Sequence, residues 1–268
     1  MARMKTPRSD AWISDIEAKM EEFARDYAFA YARKKREQSA IFEIGCFLAL
    51  LDDYHNQKFS ITVGNLDGDG AFKYLTSPTG NPDNFSYTTV EKGRQKFDLR
   101  QQIRIRSHLH PDVTFTPDIV VFDHGATVEQ KIDPDYAGGR RGMFALAAEN
   151  VIAIHECKSL PGFPELYVSF LGMLLTVHSS FQASAGLFQP SVGHLASTLF
   201  VGGESSALHI RMILALQNIY PLNIITGLHK GGWILTKRKK PLNRVAGREI
   251  LANKPLKLSV GRGRPPAA

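Results

Sequence analysis

The chain has 268 residues, 43% hydrophobic and 22% charged, the balance of a soluble globular protein with enough apolar mass for a sizeable core. Its longest apolar runs, around residues 44–51 and 170–177, are too short to cross a bilayer, and no N-terminal apolar segment suggests a signal peptide. The net charge of +7 sits at the ends: residues 236–268 carry ten Lys/Arg against one acid, whereas residues 41–235 carry fourteen against eighteen.

Residues 9–37 are predicted helical, with Ser9 as N-cap and Trp12, Ile16, Met20, Phe23 and Tyr27 forming one apolar stripe. The basic cluster RKKREQ closes that segment. A second helix, from near Ser39 to His55, is apolar almost all round between Ile41 and Leu51, the pattern of a buried helix. KFSITVGN (58–65) reads as a strand ahead of a Gly- and Asp-rich turn and a Pro/Asn-rich loop. DLRQQIRIRSHL (98–109) fits a strand or a short helix, and Val113 to Asp123 is expected as a single strand. A loop rich in Gly, Asp and Arg then runs to about Asn150, before a strand over residues 151–158, VIAIHECK. Beyond it come a helix from near Pro164, a short strand in ASTLFVGG (196–203), a helix that starts around Glu204, Ser205 and Ser206, and a strand in LNIITGLH (222–229). This alternation implies an α/β layer with at least partly parallel pairing. Cys46 and Cys157 each lie inside an apolar run and read as reduced, buried thiols, which fits an intracellular setting.

The chemistry concentrates where VIAIHECK ends. Side chains alternate along a strand, so Glu156 and Lys158 share one face while His155 and Cys157 share the other. Asp118 follows Pro117 at the start of the earlier strand. If the two strands are neighbours, Asp118 and Glu156 converge at one edge with Lys158 beside them. Two carboxylates with carbonyl and water oxygens suit a hard cation such as Mg²⁺, and an adjacent lysine can orient or deprotonate a water. That is equipment for metal-assisted phosphodiester hydrolysis.

Pro117-Asp118 followed by Glu156-Cys157-Lys158 resembles the PD-(D/E)XK nuclease superfamily. The resemblance, over about residues 39–230, implies a restriction-endonuclease-like α/β fold: a mixed central sheet flanked by helices, here with an N-terminal helix and a basic C-terminal tail. It implies Asp118 and Glu156 as ligands of Mg²⁺ (Mn²⁺ able to substitute), a backbone carbonyl ligand from Cys157, and Lys158 assisting the attacking water. It also implies a carboxylate on the preceding helix, for which Glu43 is the candidate. An ionised Glu on a helix apolar all round costs several kcal/mol unless it is paired or metal-bound. The 38 residues from Asp118 to Glu156 exceed what a tight hairpin needs, so residues 124–149 are expected as an insertion at the active-site edge.

The implied activity is Mg²⁺-dependent DNA endonuclease, in restriction, phage defence or DNA recombination and repair. The alternatives are a non-catalytic DNA-binding protein on the same fold and an RNA-processing nuclease. A double-strand cut from one site per chain implies a homodimer. The expected location is cytoplasmic and nucleoid-associated, with no membrane partner. The expected layout is a helical segment (1–38), a nuclease-like core (39–235) and a loosely ordered basic tail (236–268).

That tail places Lys237, Arg238, Lys239, Lys240 and Arg244 for phosphate contacts. Arg262-Gly263-Arg264-Pro265 resembles the core of an AT-hook, in which two Arg enter a narrow minor groove; a plain basic tail explains the same residues. Other motifs are incomplete. His108, His110 and Asp112 lack further ligands for zinc, and NLDGDG (65–70) has Thr76 where a calcium loop needs Glu. TGLHKGGW (226–233) lacks phosphate-loop spacing, and His155 and His178 read as packed or surface histidines.

Overall fold

In the computed structural model, residues 11–24, 28–30, 38–75, 81–110, 112–132, 142–177, 195–220, 222–230, 236–237 and 240–241 are described. Helix α1 (Ala11–Ala24) lays Trp12 and Ile16 into the core, with Ile13, Met20 and Phe23 partly buried beside them. It is shorter than the expected helix over 9–37. Strand β1 (Ala28–Ala30) follows it, while Ser9, Tyr27 and residues 31–37 lie outside the described residues. Helix α2 (Gln38–Asn56) is buried on nearly every side: Phe42, Ile44, Cys46, Phe47 and Leu50 are inaccessible. Such burial is worth ~2 kcal/mol for each large apolar side chain, which explains a helix with no polar face through its middle.

The strands that follow are β2 (Ser60–Gly64), β3 (Ala71–Lys73), β4 (Tyr87–Lys92), β5 (Gln95–Gln101), β6 (Arg104–Arg106), β7 (Thr114–Phe115), β8 (Ile119–Asp123), β9 (Glu129–Ile132), β10 (Gly142–Leu146) and β11 (Val151–Lys158). The chain continues through α3 (Pro164–Val177), β12 (Thr198–Val201), α4 (Ala207–Ile219) and β13 (Asn223–Ile225). Strands β14 (Thr236–Lys237) and β15 (Lys240–Pro241) pair antiparallel within the stretch expected to be loosely ordered.

Seven strands form a mixed sheet in the order β13-β12-β11-β8-β5-β4-β2. Pairing is antiparallel from β2 to β11 and parallel across β11, β12 and β13. Alternation along β8 sorts the two cores. Ile119 and Val121 join α1 and α2 on one face; Val120 and Phe122 join α3 and α4 on the other. Helix α4 begins at an N-cap, where the Ser206 hydroxyl accepts from the His209 N–H at 3.3 Å.

Two expectations are corrected here. Val113–Asp123 is not one strand: β7 and β8 belong to different sheets and the break falls at Pro117. Proline has no N–H for a ladder, which makes it a natural place for a chain to change sheets. Residues 124–149 are not simply a loop, because they contain β9 and β10, which complete a four-stranded sheet in the order β7-β6-β10-β9. The Ser107 hydroxyl donates to the Thr176 carbonyl (2.6 Å) and the His108 ring to the Leu175 carbonyl (3.0 Å), tying this sheet to α3. His110 meanwhile lies exposed. Among the described residues no helix is long and apolar enough to cross a membrane.

Candidate active site

The site forms where two strands part. β8 and β11 pair from Phe122↔Val151 to Ile119↔His155 and no further. β11 runs on beside β12 as far as Lys158↔Val201. Past His155, therefore, the β8 edge of β11 has no strand partner. The Cys157 N–H on that edge donates instead to Asp118 Oδ2 at 2.7 Å. A residue's N–H and C=O point to the same edge of a strand, so the Cys157 carbonyl also faces the split. Its thiol packs the other way, hydrogen-bonded with Cys46 in the α2 core, and burial raises the pKa of both thiols. Both cysteines are free.

Around this split the structure gathers Asp118, Glu156, Lys158 and Glu43. Lys158 Nζ stands 2.5 Å from Glu156 Oε1 and 3.3 Å from Asp118 Oδ2. Glu43 reaches in from the first turns of α2, and its Oε1 accepts from the Tyr74 hydroxyl at 3.3 Å. Gln102, in the connection from β5 to β6, links the halves. Its side-chain amide donates to Asp118 Oδ1 (3.0 Å) and Glu43 Oε2 (3.3 Å), while its backbone N–H donates to the Asp118 carbonyl (3.0 Å).

Electrostatics at the site follow from three carboxylates sharing one ammonium. Burial, then the charge of Asp118, raise Glu43 well above the ordinary carboxylate range, against opposing hydrogen bonds from Gln102 and Tyr74. Glu156 is pushed up to about 7 by burial and by Asp118, against the pull of Lys158. Burial lowers Lys158, but Asp118 and Glu156 outweigh it and hold it above the usual lysine range. A salt bridge normally depresses its carboxylate. Here burial, and then the charge of Asp118, outweigh the ammonium and leave Glu156 raised as well.

The donor set fits a hard divalent cation by its chemistry. It consists of carboxylate oxygens and a strand-edge carbonyl, and Glu156 Oε2 is buried with no hydrogen-bond partner among the described residues. It is not a ready-made cage: among the described residues no three His, Cys, Asp or Glu side chains are grouped to hold a metal ion. The cation standing between Asp118 and Glu156 is the Lys158 ammonium. Comparison with protein-family models, curated proteins and solved structures returns no match for this chain.

Some residues of interest fall elsewhere. Lys237 and Lys240 are paired positions in the β14–β15 hairpin. Arg238, Lys239, Arg244, Arg262, Arg264 and His178 lie outside the described residues. His155 is buried, its ring tilted against Phe200 with centroids 5.9 Å apart. Sequence reasoning missed Gln102 and Tyr74. The doubled Gln101-Gln102 between two runs of alternating residues was the available signal for the first; nothing local marked the second. It also missed His229, whose Nε2 lies 3.1 Å from the Ser159 hydroxyl and whose ring stacks on Trp12 at 4.4 Å, pinning α1 to the end of β11.

Proposed function

We propose that this protein is a divalent-metal-dependent nuclease of the restriction-endonuclease-like type that hydrolyses DNA phosphodiester bonds with Mg²⁺ or Mn²⁺. The observation that carries the reading is the gathering of Glu43, Asp118, Glu156 and Lys158 at the split between β8 and β11. Asp118, Glu156, the Cys157 carbonyl and Glu43 are the residues that would hold the ion. When bound, it supplies positive charge against the phosphate oxygens as negative charge builds there. Lys158, kept protonated by its two carboxylate neighbours, offers a hydrogen bond and a charge to orient the attacking water. Cys157 N–H and Gln102 hold Asp118 from two sides, so its oxygens need little reorganisation on binding. The basic tail supplies sequence-independent attraction to the phosphate backbone. A double-strand cut would require two copies of the chain.

Nicking of supercoiled plasmid, with Mg²⁺ and with EDTA, tests this reading. Cleavage is expected only with the metal, and it should be abolished in Asp118→Ala and Glu156→Ala while DNA binding persists. Metal-independent binding without cleavage would replace the reading by a non-catalytic DNA-binding protein. Cleavage of RNA alone would make it an RNA nuclease. Full activity in either variant would remove these carboxylates from the chemistry.

A further inference from the structure

Gln102 stands in a backbone conformation that a glutamine has no intrinsic reason to adopt. Its φ is +52°, in the left-handed region where a Cβ crowds the following carbonyl and where Gly or Asn is the easier choice. Strain of this kind persists where surrounding contacts over-determine it, and it collects at functional positions. Three contacts do so here. The backbone N–H is tied to the Asp118 carbonyl, and the two side-chain bonds run to Asp118 Oδ1 and Glu43 Oε2. The orientation of the amide is dictated by its neighbours. Both partners are carboxylate oxygens, so only the NH₂ end can face them.

The placement separates the oxygens of Asp118. Oδ2 is held by the Cys157 N–H and Lys158, and Oδ1 by the Gln102 amide. Without the amide, Asp118 Oδ1 and Glu43 Oε2 would lose the donor they share. With it, two carboxylates from distant parts of the chain are kept within one amide group's reach.

We propose that Gln102 is a positioning residue for cation binding, its side-chain amide holding Glu43 and Asp118 at the separation from which both can ligate one divalent ion. This inference rests on the metal-dependent reading above. Groups that orient a ligand without touching the metal commonly change affinity by about 10- to 100-fold when removed. Gln102 has that geometry toward two ligands at once.

The test uses the full chain, Mn²⁺ as the probe, and three variants. Gln102→Gly removes the amide and relieves the backbone, since glycine adopts positive φ freely. Gln102→Met removes the amide but keeps the length and the strain. Gln102→Asn keeps an amide on a residue at ease in this region. Urea unfolding in EDTA and calorimetric Mn²⁺ titration are measured for each. The Gly variant is expected to unfold at a urea midpoint equal to or above the wild type while binding Mn²⁺ about tenfold or more weakly. Met should match that loss of affinity, and Asn should recover part of it. A Gly variant that loses stability but binds Mn²⁺ like the wild type would show the amide to be a structural staple and overturn the proposal. Wild-type binding that is unchanged in all three variants would overturn the proposal alone. Failure of the wild type itself to bind Mn²⁺ would sink the metal-dependent reading and this proposal with it.

Discussion

Replacing Lys158 by Met takes away the ammonium set between Asp118 and Glu156 while keeping most of the stem. Its contacts of 2.5 and 3.3 Å are worth roughly 5–7 kcal/mol each in gross attraction at an effective dielectric of about 20. Desolvation of the ammonium, the largest opposing contribution, cancels much of this, and a side chain one-third exposed is screened further. What remains is the cost of leaving converging carboxylates without a counter-charge, about 2–3 kcal/mol at about pH 8. That cost depends on pH. Glu156 takes up its proton as pH falls through about 7, after which only Asp118 needs the ammonium. The loss should therefore shrink to about 1 kcal/mol near pH 5.5. Urea unfolding of both proteins in EDTA at the two pH values measures it. Added Mg²⁺ should then raise the midpoint of the variant more than that of the wild type, because the ion replaces the missing charge. A cost below about 0.5 kcal/mol at the higher pH, or one independent of pH, would refute the picture of carboxylates sharing one ammonium.

Lys158→Ala should bind Mn²⁺ no more weakly than the wild type and slow cleavage by about 10²-fold or more; equal loss of both would make the lysine structural. In EDTA, wild-type stability should fall as pH rises from 4.5 to about 7, because the unfolded carboxyl of Glu156 ionises at the lower value and the folded one only at the upper. Glu156→Gln should flatten that slope, whose full extent is at most about 3 kcal/mol, and an unchanged slope in denaturant melts would assign it elsewhere. Gly202→Ala would set a Cβ 2.1 Å from Nε2 of His229, a ring already held between Ser159 and Trp12. It should destabilise the protein by about 2 kcal/mol, and an unaltered melting temperature would mean the ring moves freely. Truncation after Trp233 should weaken DNA binding and flatten its salt dependence, each lost phosphate contact lowering the slope by about one unit. A loss equal on A·T-rich and G·C-rich duplexes would leave the electrostatic role and remove the AT-hook.

The elements legible in the sequence were those set by short-range pattern. Helix α2 announced itself because a run from Ile41 to Leu51 with no polar face can only be buried. Strand β11 did so because four apolar residues lead into His155-Glu156-Cys157-Lys158, and its alternation sends Cys157 to the core and Glu156 and Lys158 to the site. Even Glu43 was visible, as a charge that an apolar helix would not keep without a partner. Other features depended on which strand lies beside which. Val113–Asp123 looked continuous, although Pro117 carried a local warning, because only the sheet assignment shows that β7 and β8 go separate ways. The second sheet joins β6 to β10 across about forty residues of chain, a pairing that no window of local periodicity contains. The split past Ile119↔His155, and the meeting of Gln102 and Tyr74 with Glu43, arise the same way. A side chain's type and the face it takes are local properties of the chain. Its partners are decided by register and packing between distant segments, and only the tertiary structure brings those together.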